Sequence, residues 1–469
     1  MSEVRVEVNK LGSSKESVYP HAEPFDRPTG WRRYYYHPVT QVLMLGFVCF
    51  MGPGIFTALT GLGGGGQVNS RVQANANAIL YATFAFFGLF SGSINNILGP
   101  RWTLMLGTLG YSLYIASFLV INIHPDASAF VLTAGVILGI CAALLWTAQG
   151  SLMMAYPTEA QKGMFISIFW TIFNLGGIMG SAVAFGTSFK NTVSDTYAKF
   201  VGFLILTLIG VFLPLLMTNP DKVIRTDGTR VNQIRHPSWK TELFRLYMTL
   251  KTDPWIVLLF PMFFASNYCY TWEYNNYNGA IFTIRARGLN SLMSAASQVF
   301  GSVFLGCFIL DQKRVRRRVR AFYGWILVFL MVLVAHAWAY FYQKTYTRAE
   351  AMKAYKIDIT DETYAAHVWV MIVHGFLDSM LQTYAYWLIG AMSNDPAKLA
   401  VFTGFCAHHT DKSLQSAGAA GSWSADAAGI LYMNIFLSTW CIMVAGMIFA
   451  APMVYLRVTD HTDVEDETQ

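Results

Sequence analysis

Apolar runs about as long as a bilayer's hydrocarbon core is thick recur along the chain, with only short polar stretches between most of them. A helix rising about 1.5 Å per residue crosses about 30 Å of hydrocarbon in about 20 residues. Such runs lie at approximately 41–62, 77–98, 102–121, 129–153, 163–185, 200–217, 254–274, 289–310, 321–341, 368–389, 398–420 and 430–455. Inside lipid every backbone polar group must find its partner within the segment, so each run is expected to be a helix. The fold class that follows is an all-α membrane protein with about twelve spans. The eleventh run fits worst, because His408, His409, Asp411 and Lys412 stand near its middle.

Composition agrees with the runs. Only 13% of the 469 residues are charged, against about 25% in soluble proteins, which leaves too little polar surface to cover a water-soluble globule. Many Trp and Tyr flank the apolar runs, as an interfacial belt requires. The net charge of +6 does not point to nucleic acid, because the basic residues sit in loops between spans. Residues 1–37 contain no apolar core of a cleavable signal, so the first span is expected to direct insertion. Most of the six cysteines (Cys49, Cys141, Cys269, Cys307, Cys406 and Cys441) fall inside apolar runs, and none forms a Cys-x-x-Cys pair. They read as packing residues, with no disulfide framework and no metal site. There is no phosphate-binding glycine loop, no nucleophile elbow and no zinc-binding helix motif. The chain is therefore not expected to be an enzyme or to carry a cofactor. The Gly63–Gly66 run reads as a flexible outer loop.

An even number of spans puts both termini on one side, and Lys and Arg tell which. The face holding the termini carries about 20 of them, including Arg101, Lys162, six within 311–320 and seven within 218–253. The other face carries about 9. That bias predicts cytoplasmic termini. The domain plan is a cytoplasmic tail over 1–40, six spans over 41–217, a cytoplasmic linker over 218–253, six spans over 254–455 and an acidic cytoplasmic tail over 456–469. In the linker, Trp239, Leu243, Tyr247 and Leu250 share one helical stripe, with Lys240, Arg245 and Lys251 off it. This predicts a short amphipathic helix on the inner membrane surface, or alternatively a docking site for a regulator.

Six spans, a linker and six more is the plan of parallel-repeat transporters. Gly92, Gly99 and Arg101 after the second span loosely echo Gly306, Asp311 and Arg314 after the eighth. The stretch Gly92-Ser-Ile-Asn-Asn-Ile-Leu-Gly99-Pro-Arg101 resembles the signature loop of the major facilitator superfamily, with Asn96 where that loop usually has an acid. A more specific set resembles the Unc-93-like branch. It comprises Leu145-Trp146-Thr147-Ala148-Gln149-Gly150, Tyr156-Pro157-Thr158-Glu159, Lys162-Gly163, Phe169-Trp170 and Asn174-Leu-Gly-Gly177. Ser266-Asn267, Gly375-Phe-Leu-Asp378, Ser393-Asn394-Asp395-Pro396 and Gln415-Ser416-Ala417-Gly418-Ala419-Ala420 follow in order. The resemblance runs from about residue 40 to 455 and departs at Cys406–Asp411, a longer connection expected to break the eleventh helix. It implies a major facilitator fold, two six-helix bundles moving about a central site lined by the first, fourth, seventh and tenth spans. Its implications for activity divide. Some members resemble regulators of potassium channels, some resemble trafficking chaperones of other membrane proteins, and others are classed as transporters.

Ionisable and polar groups at bilayer depth are costly, so each is a functional candidate. In the tenth span His374, Asp378 and Gln382 stand four apart on one face, with Tyr386 continuing the line. A carboxylate there must pair, face water or take up a proton, and His374 one turn away is placed to share it. The competing reading is a hydrogen-bonded cluster that holds helices together. The resemblance adds Trp146 and Gln149 in the fourth span, and Asn267, Tyr270 and Glu273 in the seventh, as lining of a cavity for a small organic solute. Glu273 falls near the outer end of its run. Asn174 stands one turn from Trp170 in the fifth. The Gly52-Pro53-Gly54 triplet predicts a kink in the first span, and Gly176/Gly180 and Gly135/Gly139 predict close helix contacts. Asn96, Arg101, Glu159, Lys162, Asp311 and Arg314 at the cytoplasmic mouth read either as a salt-bridge gate or as orientation charges. The functional expectation is a secondary transporter working by alternating access, coupled to protons, with a non-transporting regulator or trafficking partner of a channel or receptor as the alternative. The partners expected are the lipid bilayer, a small solute and, on the second reading, another membrane protein.

Overall fold

A computed structural model describes residues 30–63, 70–157, 161–187, 193–225, 228, 231, 240, 244, 247–248, 250–251, 254–312, 314–391 and 410–458. The chain folds as helices in the order expected from its apolar runs. The first six are α1 (Pro38–Gly61), α2 (Ser70–Leu98), α3 (Pro100–Ile123), α4 (Ser128–Ala155), α5 (Lys162–Thr187) and α6 (Val193–Leu216). The second six are the interrupted α7 (Pro254–Ser266, then Trp272–Gly279), α8 (Ile284–Leu310), α9 (Arg317–Gln343), α10 (Tyr364–Ala391), α11 (Thr410–Ala427) and α12 (Tyr432–Arg457). Ten of these are long and apolar enough to cross a membrane. Large side chains such as Phe212, Phe300, Phe308 and Phe341 lie exposed on them, as helix faces in contact with lipid require.

The buried apolar side chains sort by half of the chain. One cluster draws on residues from Val42 to Val231, and a second on residues from Ile256 to Val458. These are the cores of two six-helix bundles of major facilitator type. The most extensive packing between them pairs α2 with α11 and α5 with α8, with the end of α1 also meeting α7 and α8. The first pair buries a small cluster of its own, Ala74, Ala78, Ala419, Trp423 and Ala427. Small residues let the backbones close up. A methyl on Gly288 of α8 would lie 2.8 Å from the Cα of Phe185 in α5.

Three helices depart from regular α geometry. In α1 the triplet around Pro53 winds as a π-helix over Phe50–Gly54, because proline has no N–H for the ladder and its ring crowds the preceding turn. Gly176 packs there, its missing methyl falling 2.5 Å from the carbonyl oxygen of Phe50, and Gly180 lies against Ala58. Gly135 and Gly139 do the same for α4 on α2, against the carbonyls of Ala76 and Leu80. The end of α8 winds as a π-helix over Phe304–Leu310. In α7 the helix stops at Ser266 and resumes as the π-helical Trp272–Gly279.

Two expected span boundaries move. The seventh run was expected to end near 274, yet α7 continues to Gly279, its polar end buried among neighbours and so independent of hydropathy. The eleventh was expected over 398–420, but the helix is Thr410–Ala427, and residues 392–409 lie outside the described ones. Its Ser- and Ala-rich sequence is too polar for lipid but is enclosed by α2 and α7, with Gly418 against the carbonyl oxygen of Phe264. Of the expected linker stripe, Trp239 and Leu243 also lie outside the described residues. Tyr247 is exposed, and Leu250 packs on the second bundle's core.

Candidate functional site

The four-residue spacing on α10 aims Asp378, Gln382 and Tyr386 along one face, and α7 answers from across the bundle. The hydroxyl of Tyr270 donates to both carboxylate oxygens of Asp378, at 3.1 and 3.3 Å. One turn along, the amide of Gln382 donates to Oδ1 of Asn267 at 3.1 Å. Asn267 is where α7 breaks. Past the break, α7 places Glu273 beside Asp378. Glu273 is 2% exposed and Asp378 4%, and the two carboxylates are electrostatic neighbours. Tyr270 and Tyr274 stack beside them with ring centres 5.4 Å apart.

Across the seam, α4 and α5 present an aromatic wall. Trp146 meets Trp170 at 6.5 Å and Phe173 at 5.6 Å, and Trp170 reaches Tyr386 of the other bundle at 5.8 Å. The ammonium of Lys412, at the start of α11, lies 4.9 Å from the Trp146 ring centre and 5.3 Å from that of Tyr386. It also donates to Oε1 of Gln415 at 3.0 Å and is within electrostatic reach of Asp378. Gln149 and Asn174 are half-buried nearby on the same two helices, and neither makes a hydrogen bond to another described residue.

His374 goes elsewhere. Its Nδ1 pairs with the carbonyl oxygen of Val370 at 2.9 Å, and its ring packs on Trp272 and His336, each 5.2 Å away. The shared proton expected between His374 and Asp378 is therefore not the arrangement found. One turn of helix also rotates the side chain by about 40°, enough here to point it at Trp272 of α7 and His336 of α9. Sequence reading missed His336 and the role of Lys412. The lysine's own signal was its charge inside an apolar run.

The expected mouth residues do not assemble into a gate among the described residues. The Arg101 guanidinium reaches the carbonyls of Pro214 and Leu215 and the side chain of Asn219. It thus caps the end of α6 in its own bundle. Asp311 and Arg314 are exposed and Asn96 half-buried. Glu159 and the side chain of Lys162 lie outside the described residues.

The end of the molecule opposite the termini is sealed between the bundles. Asn278 of α7 donates to the carbonyl oxygen of Gly61 at 2.8 Å and accepts from Asn290 at 2.9 Å. Gly63 lies so close to α7 that a methyl there would fall 2.2 Å from the carbonyl oxygen of Tyr274. Arg71 of α2 donates to the carbonyl oxygen of Ala427 in α11 at 3.1 Å. Behind this seam Asp426 accepts from Arg348 at 2.6 Å and from Asn275 at 2.9 Å. Toward the termini, the half-buried Lys412 and the rings around it mark the contact between bundles.

Comparison with known proteins places this architecture. The family model described as "Ion channel regulatory protein UNC-93" matches residues 65–419. The chain belongs to the UNC-93 family. A UNC93-like protein of Schizosaccharomyces pombe is 42% identical over 436 residues, covering 92% of this chain and 84% of that one. UNC93-like protein 1 of Arabidopsis thaliana is 34% identical over 468 residues, covering 98% and 97%. Among solved structures, the xylose transporter of E. coli in a partially occluded inward-open conformation matches with a TM-score of 0.60 and 12% identity. The match covers 92% of this chain and all of that one. That likeness concerns the fold alone, which is therefore the major facilitator fold for this UNC-93 family member.

Proposed function

We propose that this chain is a secondary transporter that moves a small solute by alternating access, coupled to protons, with both termini in the cytoplasm. The observation that carries the reading is the carboxylate pair Asp378 and Glu273, buried at bilayer depth on neighbouring helices beside the seam between bundles. Ionisable groups inside a membrane-spanning bundle are costly and mark proton relays and solute pathways. The hydroxyl of Tyr270 and the ammonium of Lys412 are the polar groups placed to meet the Asp378 carboxylate. Gln149 and Asn174 offer amides on the facing wall for the polar groups of a solute.

With cytoplasmic termini, the sealed end faces outward and the seam at Lys412 is the inner barrier. Loosening the inner contacts then opens the site to the cytoplasm, and breaking the contacts around Gly61, Gly63 and Asn278 opens it outward. The domain plan of two bundles joined by the 218–253 linker accommodates this as a rocking motion.

The test is reconstitution into liposomes with a solute panel and an imposed pH gradient. Wild-type protein is expected to move one solute class in response to the gradient, and Asp378→Asn to abolish the response. Retention of full gradient dependence by that variant rejects the coupling role. The description of the family model as an ion channel regulatory protein favours a second reading, a non-transporting partner of a channel. Wild-type protein that moves no solute but alters a co-reconstituted channel's conductance supports that one.

A further inference from the structure

Building on the transport reading, we propose that the solute is an organic cation, and that the rings of Trp146, Trp170 and Tyr386 form its ammonium site, occupied in this conformation by the chain's own Lys412. The rings come from both bundles, Trp146 and Trp170 from the first and Tyr386 from the second. The Lys412 ammonium lies 4.9 and 5.3 Å from two of them. Trp170 joins the set at 6.5 Å from Trp146 and 5.8 Å from Tyr386. The negative face of an aromatic ring attracts a cation within about 6 Å, and walls of several rings are how proteins select alkylammonium groups. A lysine side chain delivers the same charge on a tether. Its presence reports what the cage accepts.

Charge balance points the same way. Lys412 lies within electrostatic reach of Asp378, whose carboxylate neighbours that of Glu273. When both carboxylates are ionised, one negative charge remains uncompensated. Lys412 leaving the rings for Asp378 empties the cage, and the remaining negative charge suits a cationic head group there. An anionic solute would meet the carboxylates instead. Because the cage is built across the seam, a cation seated in it touches both bundles and is released when they part.

The test measures binding of radiolabelled choline to the purified full-length chain in detergent, without a gradient. Lys412→Met is expected to bind choline about tenfold more tightly than wild type, because a site filled by its tether about nine-tenths of the time presents only the remainder. Adding Trp146→Leu to Lys412→Met is expected to remove the binding. A neutral isostere, 3,3-dimethylbutanol, is expected to compete poorly. Equal or weaker choline binding by Lys412→Met, or equal competition by the isostere, overturns the proposal. If Lys412→Met does not fold, Tyr386→Leu with the lysine retained is expected to weaken choline binding, and unchanged affinity overturns the proposal. Binding without movement of any solute retires the transport reading and leaves the cage standing. Gradient-driven movement of solutes that carry no cation, with no choline binding, retires the cage alone.

Discussion

Gly63→Ala is expected to weaken the sealed end of the molecule selectively. Gly63 has φ +68°, and a methyl built on it falls 2.2 Å from the carbonyl oxygen of Tyr274 and 2.6 Å from the Cα of Gly279. Real methyl carbons essentially never approach within 3.0 Å, so the α1 end and α7 must separate by about 0.8 Å at that point. Both obstacles are backbone, which cannot turn aside as a side chain can. Overpacking of this kind costs about 1–3 kcal/mol, and only in the conformation where the two bundles touch here. At about 1.4 kcal/mol per factor of ten, the open form at this end should gain about 5- to 150-fold in relative population. The left-handed backbone adds strain of about 1–2 kcal/mol for alanine. Gly429→Ala controls for it, since Gly429 has φ +77° and nothing within 4 Å of an added methyl. The assay is the labelling rate of Ser291→Cys by a membrane-impermeant maleimide, in a background with the native cysteines replaced. Ser291 is buried beside Gly61 in this seam. Faster labelling is expected for Gly63→Ala and not for Gly429→Ala. Equal rates in the two variants, both folded, would refute the reasoning.

Other outcomes follow from the packing and the outer loops. Gly176→Ala is expected to cost about 1–3 kcal/mol and lower the thermal midpoint in detergent, because its methyl would lie 2.5 Å from the carbonyl oxygen of Phe50. Gly186→Ala, with nothing within 4 Å, should leave the midpoint unchanged. Asp426→Ala removes the carboxylate oxygens that accept from Asn275 and Arg348, while Arg348 keeps the Ile430 carbonyl and the Tyr432 ring. A loss of about 1–3 kcal/mol is expected, reduced from the full value for a buried pair because Arg348 is 23% exposed. In the short helix Arg348–Lys353, hydrogen bonds from the Thr347 hydroxyl and backbone N–H hold the Glu350 carboxyl below the usual carboxylate range. A depressed folded-state pKa stabilises this turn above the ordinary carboxylate pKa, and the contribution disappears as pH falls through the lowered value. Protection factors over 348–353, taken relative to the intrinsic exchange rate at each pH, should therefore fall on acidification in wild type, and the fall should shrink in Thr347→Ala.

The membrane fold and its helices were legible in the chain because burial in lipid is decided residue by residue. Any run as apolar as 129–153 must leave water, and once in lipid must satisfy its own backbone. Glycine spacing foretold contacts for the same reason, since the lack of a side chain at Gly176 or Gly135 is a local property. The order of short motifs likewise carried the family. Where helices lie against each other, hydropathy stops being informative. Thr410–Ala427 is too polar for lipid yet fills the space between α2 and α7.

The site divides along the same line. Helical periodicity placed Asp378 and Gln382 on one face, but it also placed His374 there, and packing turned that ring toward Trp272 and His336. No local signal marked the break at Asn267, past which Glu273 neighbours Asp378. None set Lys412 between a ring of its own bundle and one of the opposite bundle. Solvation acts on each segment separately and can be read along the chain. Meetings between residues more than 200 positions apart, such as Trp146 and Lys412, depend on how two bundles rest against each other, and that exists only in the folded molecule.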